Sequence, residues 1–131
     1  MPHIIIDYSA NLEPHLELDA LLASVHEDLI EMQLFPTGGI RSRARRIDHY
    51  RFADGARDYS GIHVEVLLSS LRPLEIRKEV GQRVFNRLQP AIQKLREHRP
   101  YIALSLSVGS IDAECFFNDN DIHQIFGFPE Q

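Results

Sequence analysis

Proline at position 2 precedes a histidine and three consecutive isoleucines. Removal of Met1 would expose a secondary amine at Pro2, whereas a retained Met1 would leave an amide nitrogen, which is not basic. An amino terminus titrates at about 7.7–8.0 in model peptides, and burial and nearby cations both favour its neutral form. A neutral amine can act as a general base at pH 7. Pro2 is therefore the first candidate catalytic residue.

Arginine is concentrated downstream of an acidic amino-terminal region. Residues 1 to 35 contain seven acidic residues and no lysine or arginine, whereas residues 41 to 57 contain six arginines. These are Arg41, Arg43, Arg45, Arg46, Arg51 and Arg57. A guanidinium pairs with a carboxylate through two parallel hydrogen bonds, so the cluster predicts a small polycarboxylate ligand. The alternative is that these arginines pair with the acidic residues of the first helix.

Charge and hydropathy argue against several classes of partner. The 131 residues carry a formal net charge of −5, whereas nucleic-acid binders usually have a net basic domain, so we expect no nucleic-acid partner. No apolar run approaches the ~20 residues that cross a bilayer, and the amino terminus lacks the basic leader of a signal peptide. We therefore expect no membrane partner and a cytoplasmic location.

The motifs of several common enzyme chemistries are missing from the sequence. The seven histidines show no metal-ligand spacing, and the single cysteine, Cys115, adds none. The chain has no glycine-rich phosphate loop, no dinucleotide fingerprint and no nucleophile elbow around a serine. We expect neither a metal nor a cofactor.

Hydrophobic periodicity predicts a first β-α-β unit. Residues 3 to 8 are rich in isoleucine and read as a strand, and a helix with apolar residues at helical spacing begins at Leu18. Residues 40 to 46 then alternate arginine with apolar or small residues, which is typical of a strand with one charged face. Asp54-Gly55 closes the unit as a turn.

A second unit repeats this pattern about 60 residues later in the chain. Residues 62 to 68 and 102 to 108 read as strands, and an apolar stripe over residues 74 to 95 predicts the helix between them. Pro90 is expected to kink or interrupt that helix, because proline lacks the amide donor and crowds the preceding turn.

The pattern predicts a fold of class α/β (α+β). Two fused β-α-β units form a mixed sheet covered by two helices, because crossovers of this length favour parallel pairing within each unit. The length fits a single domain over residues 1 to 131, with a pseudo-repeat of residues 2 to 57 and 58 to 131.

The carboxyl-terminal segment is unusually apolar. It carries Phe116, Phe117, Ile122, Ile125, Phe126 and Phe128. Such a segment needs a surface to cover it, and this surface belongs either to the core of the same chain or to a neighbouring subunit.

Several motifs occur in a specific order. Pro2-His3-Ile4-Ile5 begins the first strand, and Phe35-Pro36-Thr37-Gly38-Gly39-Ile40-Arg41-Ser42-Arg43 follows the first helix. Further motifs are Ala53-Asp54-Gly55, Asp58-Tyr59, His63, and Arg72 ahead of Leu74-Glu75. In these motifs, over nearly the whole chain, the sequence resembles the tautomerase superfamily and, within it, the 5-carboxymethyl-2-hydroxymuconate isomerases.

The resemblance implies roles for individual residues. Pro2 matches the catalytic proline, and Arg41 matches the catalytic arginine that contacts the 2-oxo or carboxylate end of the substrate. Arg72 matches the family's other substrate arginine and is assigned to a distal carboxylate. Arg43 lies in the matching stretch, and Phe52 falls at the position of the family's hydrophobic pocket, so both are assigned to substrate binding.

The resemblance also implies the reaction and the assembly. Pro2 would move a proton from the 2-hydroxyl of 5-carboxymethyl-2-hydroxymuconate to a carbon further along the chain, giving the 2-oxo-3-ene isomer without a cofactor. This step belongs to homoprotocatechuate and 4-hydroxyphenylacetate degradation. Ile62, ten residues before Arg72, stands where the second unit would carry its own proline, which implies one site per chain. A homotrimer with sites near subunit boundaries is implied as well.

Three other functions fit the same residues. The chain could be a tautomerase of smaller 2-oxo or 2-hydroxy acids, a non-catalytic interaction module with the tautomerase fold, or a regulator whose arginines bind an acid without turnover. Full function after Pro2→Ala would favour the interaction module, and comparable turnover of smaller acids would favour the first of these.

Overall fold

Four strands and two long helices make up the computed structural model, which describes residues 2–127. Met1 and Phe128, the last aromatic residue of the apolar carboxyl-terminal segment, lie outside the described residues. The strands are β1 (His3–Ser9), β2 (Arg41–Ile47), β3 (Ser60–Ser69) and β4 (Ile102–Ile111). The helices are α1 (Leu18–Met32), α2 (Leu74–Leu95) and the short α3 (His123–Phe126).

The strands form one mixed sheet in the order β2-β1-β3-β4. β1 and β2 are parallel and joined through α1, and β3 and β4 are parallel and joined through α2. The two central strands, β1 and β3, are antiparallel. Parallel neighbours require a crossover connection, which each helix supplies. The predicted fold class, two β-α-β units in one mixed sheet, is therefore confirmed.

One face of the sheet carries the hydrophobic core. Side chains alternate between the two faces along a strand, so the even-numbered residues of β1 and β3 face α1 and α2. The helices contribute residues three or four positions apart, as a stripe facing a sheet requires. Buried members of the core include Ile4, Ile6, Val64, Val66, Val25, Leu29, Val84 and Leu88.

The opposite face of the sheet, called the open face below, carries mainly charged, polar and small side chains, with Ile5 and Leu67 among them. Three rows cross it from β2 to β4, and they follow from the strand register. The rows are Arg41-His3-Leu67-Gly109, Arg43-Ile5-Glu65-Ser107 and Arg45-Asp7-His63-Ser105. The predicted alternation of arginine along β2 is confirmed by this register.

Pro90 does not interrupt α2, which runs continuously over Leu74–Leu95. The expected interruption is therefore wrong, whereas the alternative, a kink at Pro90, stays a prediction. A proline removes the hydrogen bond to the carbonyl four residues earlier, here that of Asn86. Both Pro90 and Asn86 lie on the exposed side of the helix, so water can satisfy this carbonyl. The buried stripe with Leu88 and Ile92 meanwhile holds the helix against the core.

Within residues 2–127, none of the helices combines the length and apolar character needed to cross a membrane.

Candidate active site

The topology brings Pro2, Arg41 and Arg72 to one end of the sheet, called the proline end below. Pro2 is buried immediately before β1, and Arg41 begins the neighbouring parallel strand. The Arg41 amide donates a hydrogen bond of 3.0 Å to the Pro2 carbonyl oxygen. Because β3 is antiparallel to β1, its carboxyl end lies here as well, and Arg72 follows that end by three residues.

Arg72 is held by the segment that follows α1. Its Nη2 donates a hydrogen bond of 2.8 Å to the Leu34 carbonyl oxygen, and its Cζ lies 4.8 Å from the centre of the Phe35 ring. Stacking on an aromatic face and a backbone hydrogen bond use different parts of a guanidinium. The cation is therefore fixed in place, and most of its donors are left for an anion.

His3 lies between the arginines of β2 and the carboxyl-terminal segment. Arg43 Nη1 lies 3.5 Å from His3 Nδ1, and the Phe116 ring meets the imidazole edge-on with 6.2 Å between ring centres. Burial, followed by the charges of Arg41 and Arg43, lowers the pKa of His3 below its ordinary value of 6.5. His3 is therefore neutral at pH 7, and the site gains no cation from it.

Three other arginines of the cluster are held by groups near them in the fold. Arg45 pairs with Asp7 through two hydrogen bonds, Nε to Oδ1 at 2.7 Å and Nη2 to Oδ2 at 2.9 Å. Arg46 Nε lies 3.0 Å from an oxygen of Asp48, and Arg51 donates to the carbonyl of Asp54. These pairings assign Arg45, Arg46 and Arg51 to structure.

Arg45, Arg46 and Arg51 do not pair with the acidic residues of the first helix, so that alternative is wrong for these three arginines. The paired acids of α1 are Asp28 and Glu31, and their partners are Arg83 and Arg87 of α2. The sequence did not reveal this, because two helices in contact place residues more than 50 positions apart side by side.

Phe52 lies at the opposite end of the sheet from Pro2. Its ring packs on Gly61, near the start of β3, and beside Tyr50. A groove of about 340 Å³ opens next to it on the open face, lined in part by Asp7 and His63. With about 3.3 Å per residue along β1, roughly 20 Å separate this groove from the proline end. Within one chain, Phe52 is therefore not brought to Pro2.

Ile62 lies inside β3, where it pairs with Tyr8 and is buried on the helix face. Its nitrogen is a peptide nitrogen, so the second β-α-β unit has no amine at this position. The second β-α-β unit therefore offers no amine base at Ile62.

The residues that cover the proline end from the carboxyl-terminal side were not predicted to be part of the site. Arg41 Nη2 donates a hydrogen bond of 2.9 Å to Asn118 Oδ1, and Asn120 Nδ2 donates one of 2.8 Å to the Gly38 carbonyl oxygen. Phe116 reaches His3. The signal that could have found them is the polar stretch of residues 118 to 121, which interrupts an otherwise apolar segment.

The carboxyl-terminal segment only partly packs on its own chain. Phe116 is half-buried, whereas Phe117 and Ile125 are 90% and 80% exposed, and Ile122 and Phe126 are also largely exposed. The core of the same chain therefore covers only one side of this segment. Cover of the other side by a neighbouring subunit stays a prediction.

A family model described as "CHMI: 5-carboxymethyl-2-hydroxymuconate isomerase" matches residues 2–126. The chain is also 32% identical over 126 residues to a 5-carboxymethyl-2-hydroxymuconate Delta-isomerase of Escherichia coli, and the match covers 96% of this chain and 99% of that relative.

Solved structures agree with these matches. The crystal structure of a 5-carboxymethyl-2-hydroxymuconate isomerase from Deinococcus radiodurans R1 superposes with a TM-score of 0.88 at 27% identity, covering 95% of this chain and 93% of that one. A fused 4-OT described as a symmetric trimer shares the fold, with a TM-score of 0.53 at 15% identity and coverage of 84% and 85%.

Proposed function

The chain belongs to the 5-carboxymethyl-2-hydroxymuconate isomerase family, and from this premise we propose that Pro2 is the base with which it converts 5-carboxymethyl-2-hydroxymuconate into the 2-oxo-3-ene isomer. It is an isomerase of the delta-isomerase type, which moves a carbon–carbon double bond within one molecule. The observation that carries the role of Pro2 is its placement, buried and bonded through its backbone to Arg41 at the proline end.

The surroundings of Pro2 favour a neutral amine once Met1 is removed. Pro2 is buried, and Arg41 and Arg43 lie on the neighbouring strand. Burial and nearby cations both disfavour a charged amine, and the same two causes lower the pKa of the adjacent His3. A neutral proline nitrogen takes the proton of the 2-hydroxyl group and returns it to a carbon further along the conjugated chain.

The arginines bind the substrate and stabilise the charge that develops on it. Arg41, next to Pro2, stabilises the negative charge that develops on the 2-oxygen. Arg72, stacked on Phe35, binds a distal carboxylate. Arg43 adds a further cation, and its contact with His3 is long at 3.5 Å. A substrate with several carboxylates suits three guanidiniums that no acidic residue among residues 2–127 neutralises through an ion pair.

We propose further that the chain is a single domain that assembles as a homotrimer with sites at subunit boundaries. The exposed aromatic residues of the carboxyl-terminal segment and the uncovered open face support this, as does the symmetric trimer formed by the fused 4-OT. In such an assembly Phe52 serves the Pro2 of a neighbouring chain, which reconciles its assignment with its distance from Pro2 in its own chain.

The experiment is an ultraviolet assay of 5-carboxymethyl-2-hydroxymuconate with protein whose intact mass shows that Met1 is absent. Pro2→Ala should lower kcat by about 10²-fold or more, with little change in KM, because a freely rotating primary amine takes the place of the rigid ring nitrogen while the arginines stay in place. Protein that retains Met1 is the matched control, since it keeps the proline ring but blocks its nitrogen, and it should be inactive.

Wild-type turnover by Pro2→Ala would overturn the role of Pro2. Comparable efficiency on smaller 2-oxo acids would favour the broader tautomerase over the named substrate. Activity on 5-carboxymethyl-2-hydroxymuconate would in turn support a place in homoprotocatechuate degradation.

A further inference from the structure

The carboxyl-terminal strap, defined here as Phe116, Asn118, Asn120 and His123, crosses the proline end. Phe116 contacts His3 on β1, and Asn120 donates to the carbonyl of Gly38 in the turn before β2. His123 packs so closely on Gly38 that an added Cβ there would lie 2.9 Å from its Nδ1 and 3.1 Å from its Cα. The strap is thus anchored on both sides of the point where it meets Arg41.

Asn118 lies between these anchors and contacts Arg41 directly. Its Oδ1 accepts a hydrogen bond of 2.9 Å from Arg41 Nη2. Arg41 is partly exposed, and a free arginine side chain loses much conformational entropy when a ligand fixes it. Because the strap is itself anchored, its hydrogen bond already orders part of the Arg41 side chain in the free protein.

The chemistry of the amide matters as much as its position. The Asn118 oxygen accepts a hydrogen bond without carrying charge, so the guanidinium keeps its full positive charge and four of its five N–H donors. A carboxylate in the same place would pair with Arg41 as Asp7 pairs with Arg45, through two charge-assisted bonds. It would then compete with an anionic substrate.

We propose that Asn118 is a positioning residue, which orients the Arg41 guanidinium toward the substrate of the Pro2 site while leaving its charge available. This rests on the proposed function, because it requires that Arg41 contacts the substrate. Asn118 acts through Arg41 and has no part of its own in the proton transfer.

The test is a double-mutant cycle on protein with Met1 removed, assayed for 5-carboxymethyl-2-hydroxymuconate isomerisation. Asn118→Ala should lower kcat/KM about tenfold, the range expected for a lost hydrogen bond to a charged group. In the Arg41→Ala background the same substitution should change kcat/KM less than about twofold, because its partner is already gone. Gln124→Ala, which shortens another exposed amide in α3, should leave kcat/KM unchanged.

A second variant separates orientation from folding. Asn118→Asp keeps the size and the acceptor but adds a charge, so KM should rise more than in Asn118→Ala, while the melting temperature stays at or above that of the wild type. A drop in melting temperature with equal KM in both variants would identify Asn118 as a structural residue and overturn the proposal.

The remaining outcomes separate the two proposals. If Pro2→Ala and Arg41→Ala are both as active as the wild type, the proposed function fails. If these two lose activity but Asn118→Ala does not, or if Asn118→Ala costs as much in the Arg41→Ala background as in the wild type, only the positioning role fails.

Discussion

Asp28 of α1 and Arg87 of α2 are joined by two hydrogen bonds, Nε to Oδ2 at 3.0 Å and Nη2 to Oδ1 at 2.9 Å. Arg83 adds a third contact to the same carboxylate at 3.3 Å. The carboxylate is 1% exposed, whereas the two arginines remain half in water. The pair therefore ties the two helices together on the side of the molecule away from the open face.

The Asp28 pair predicts acid sensitivity. The hydrogen bond from Arg87, followed by the charges of Arg87 and Arg83, holds the pKa of Asp28 below its ordinary value of 3.8 despite its burial. A lowered folded-state pKa means that the stabilisation is complete above the unfolded pKa and is lost as the pH falls through the folded value. Asp28→Asn should destabilise the protein by about 1–3 kcal/mol at pH 7. The difference should shrink as the pH falls below the ordinary value of 3.8 and vanish below the lowered folded-state pKa.

Urea unfolding of both proteins between pH 7 and pH 2, at one protein concentration, measures this difference. Glu97→Gln is the control, because Glu97 is an exposed acid with no ion pair to the described residues. A constant difference between wild type and Asp28→Asn at every pH would contradict the assigned cause.

Gly81 predicts a packing constraint between α2 and β4. A Cβ at this position would lie 2.7 Å from Val108 Cγ2. Inside a helix, alanine is about 1 kcal/mol more favourable than glycine, but overpacking of a core costs about 1–3 kcal/mol. Gly81→Ala should therefore be neutral to destabilising. In the Val108→Ala background the clash is gone and the same substitution should stabilise. Thermal unfolding of the four proteins checks this, and the same effect in both backgrounds would refute it.

Arg72 predicts a defect in substrate binding rather than turnover. Arg72→Ala removes a cation fixed by Phe35 and Leu34, so KM should rise about 10-fold or more with kcat little changed, since a charge-assisted hydrogen bond contributes about 1.5–3 kcal/mol. Steady-state kinetics measure the two constants. Lys78→Ala removes an exposed cation of α2 and serves as the control, and an unchanged KM in Arg72→Ala would exclude the role.

The distance between Phe52 and Pro2 within one chain predicts that active sites are shared between chains. When Pro2→Ala and Phe52→Ala proteins are unfolded and refolded together, a site can combine Pro2 of one chain with Phe52 of another. Random mixing in a ring should then restore about one quarter of the wild-type sites. A mixture of Pro2→Ala with Arg41→Ala should gain nothing, because these two residues lie together in one chain. Activity no higher than the mean of the two parent proteins would refute shared sites.

The sequence predicted what depends on local periodicity. The alternation of residues 40 to 46 correctly placed Arg41, Arg43 and Arg45 on one face of β2, because side-chain direction in a strand has a period of two. It failed at Pro90, where the penalty of a helical proline depends on whether the orphaned carbonyl meets water or core. That distinction depends on the tertiary structure, so it cannot be read from the local sequence pattern.

Prediction of the site from the sequence is limited in the same way, because its residues are brought together by the tertiary structure. Pro2 and Arg41 could be named because a family resemblance links them, although 39 positions separate them. The contact between Arg41 and Asn118 joins residues 77 positions apart, on a strand and on an irregular segment that share no repeat. Only the path of the chain past β4 brings them together, and no spacing rule describes that path.

The rows of the open face end very differently at the two edges of the sheet. At the β2 edge they end in the long side chains of arginine, and at the β4 edge they end in glycine and serine. The β2 margin of the open face therefore carries much longer side chains than the β4 margin. A flat surface laid on this face would touch the arginines first and leave a gap over the glycine and the serines. A partner that covers the whole face must therefore carry its longer side chains on the β4 side.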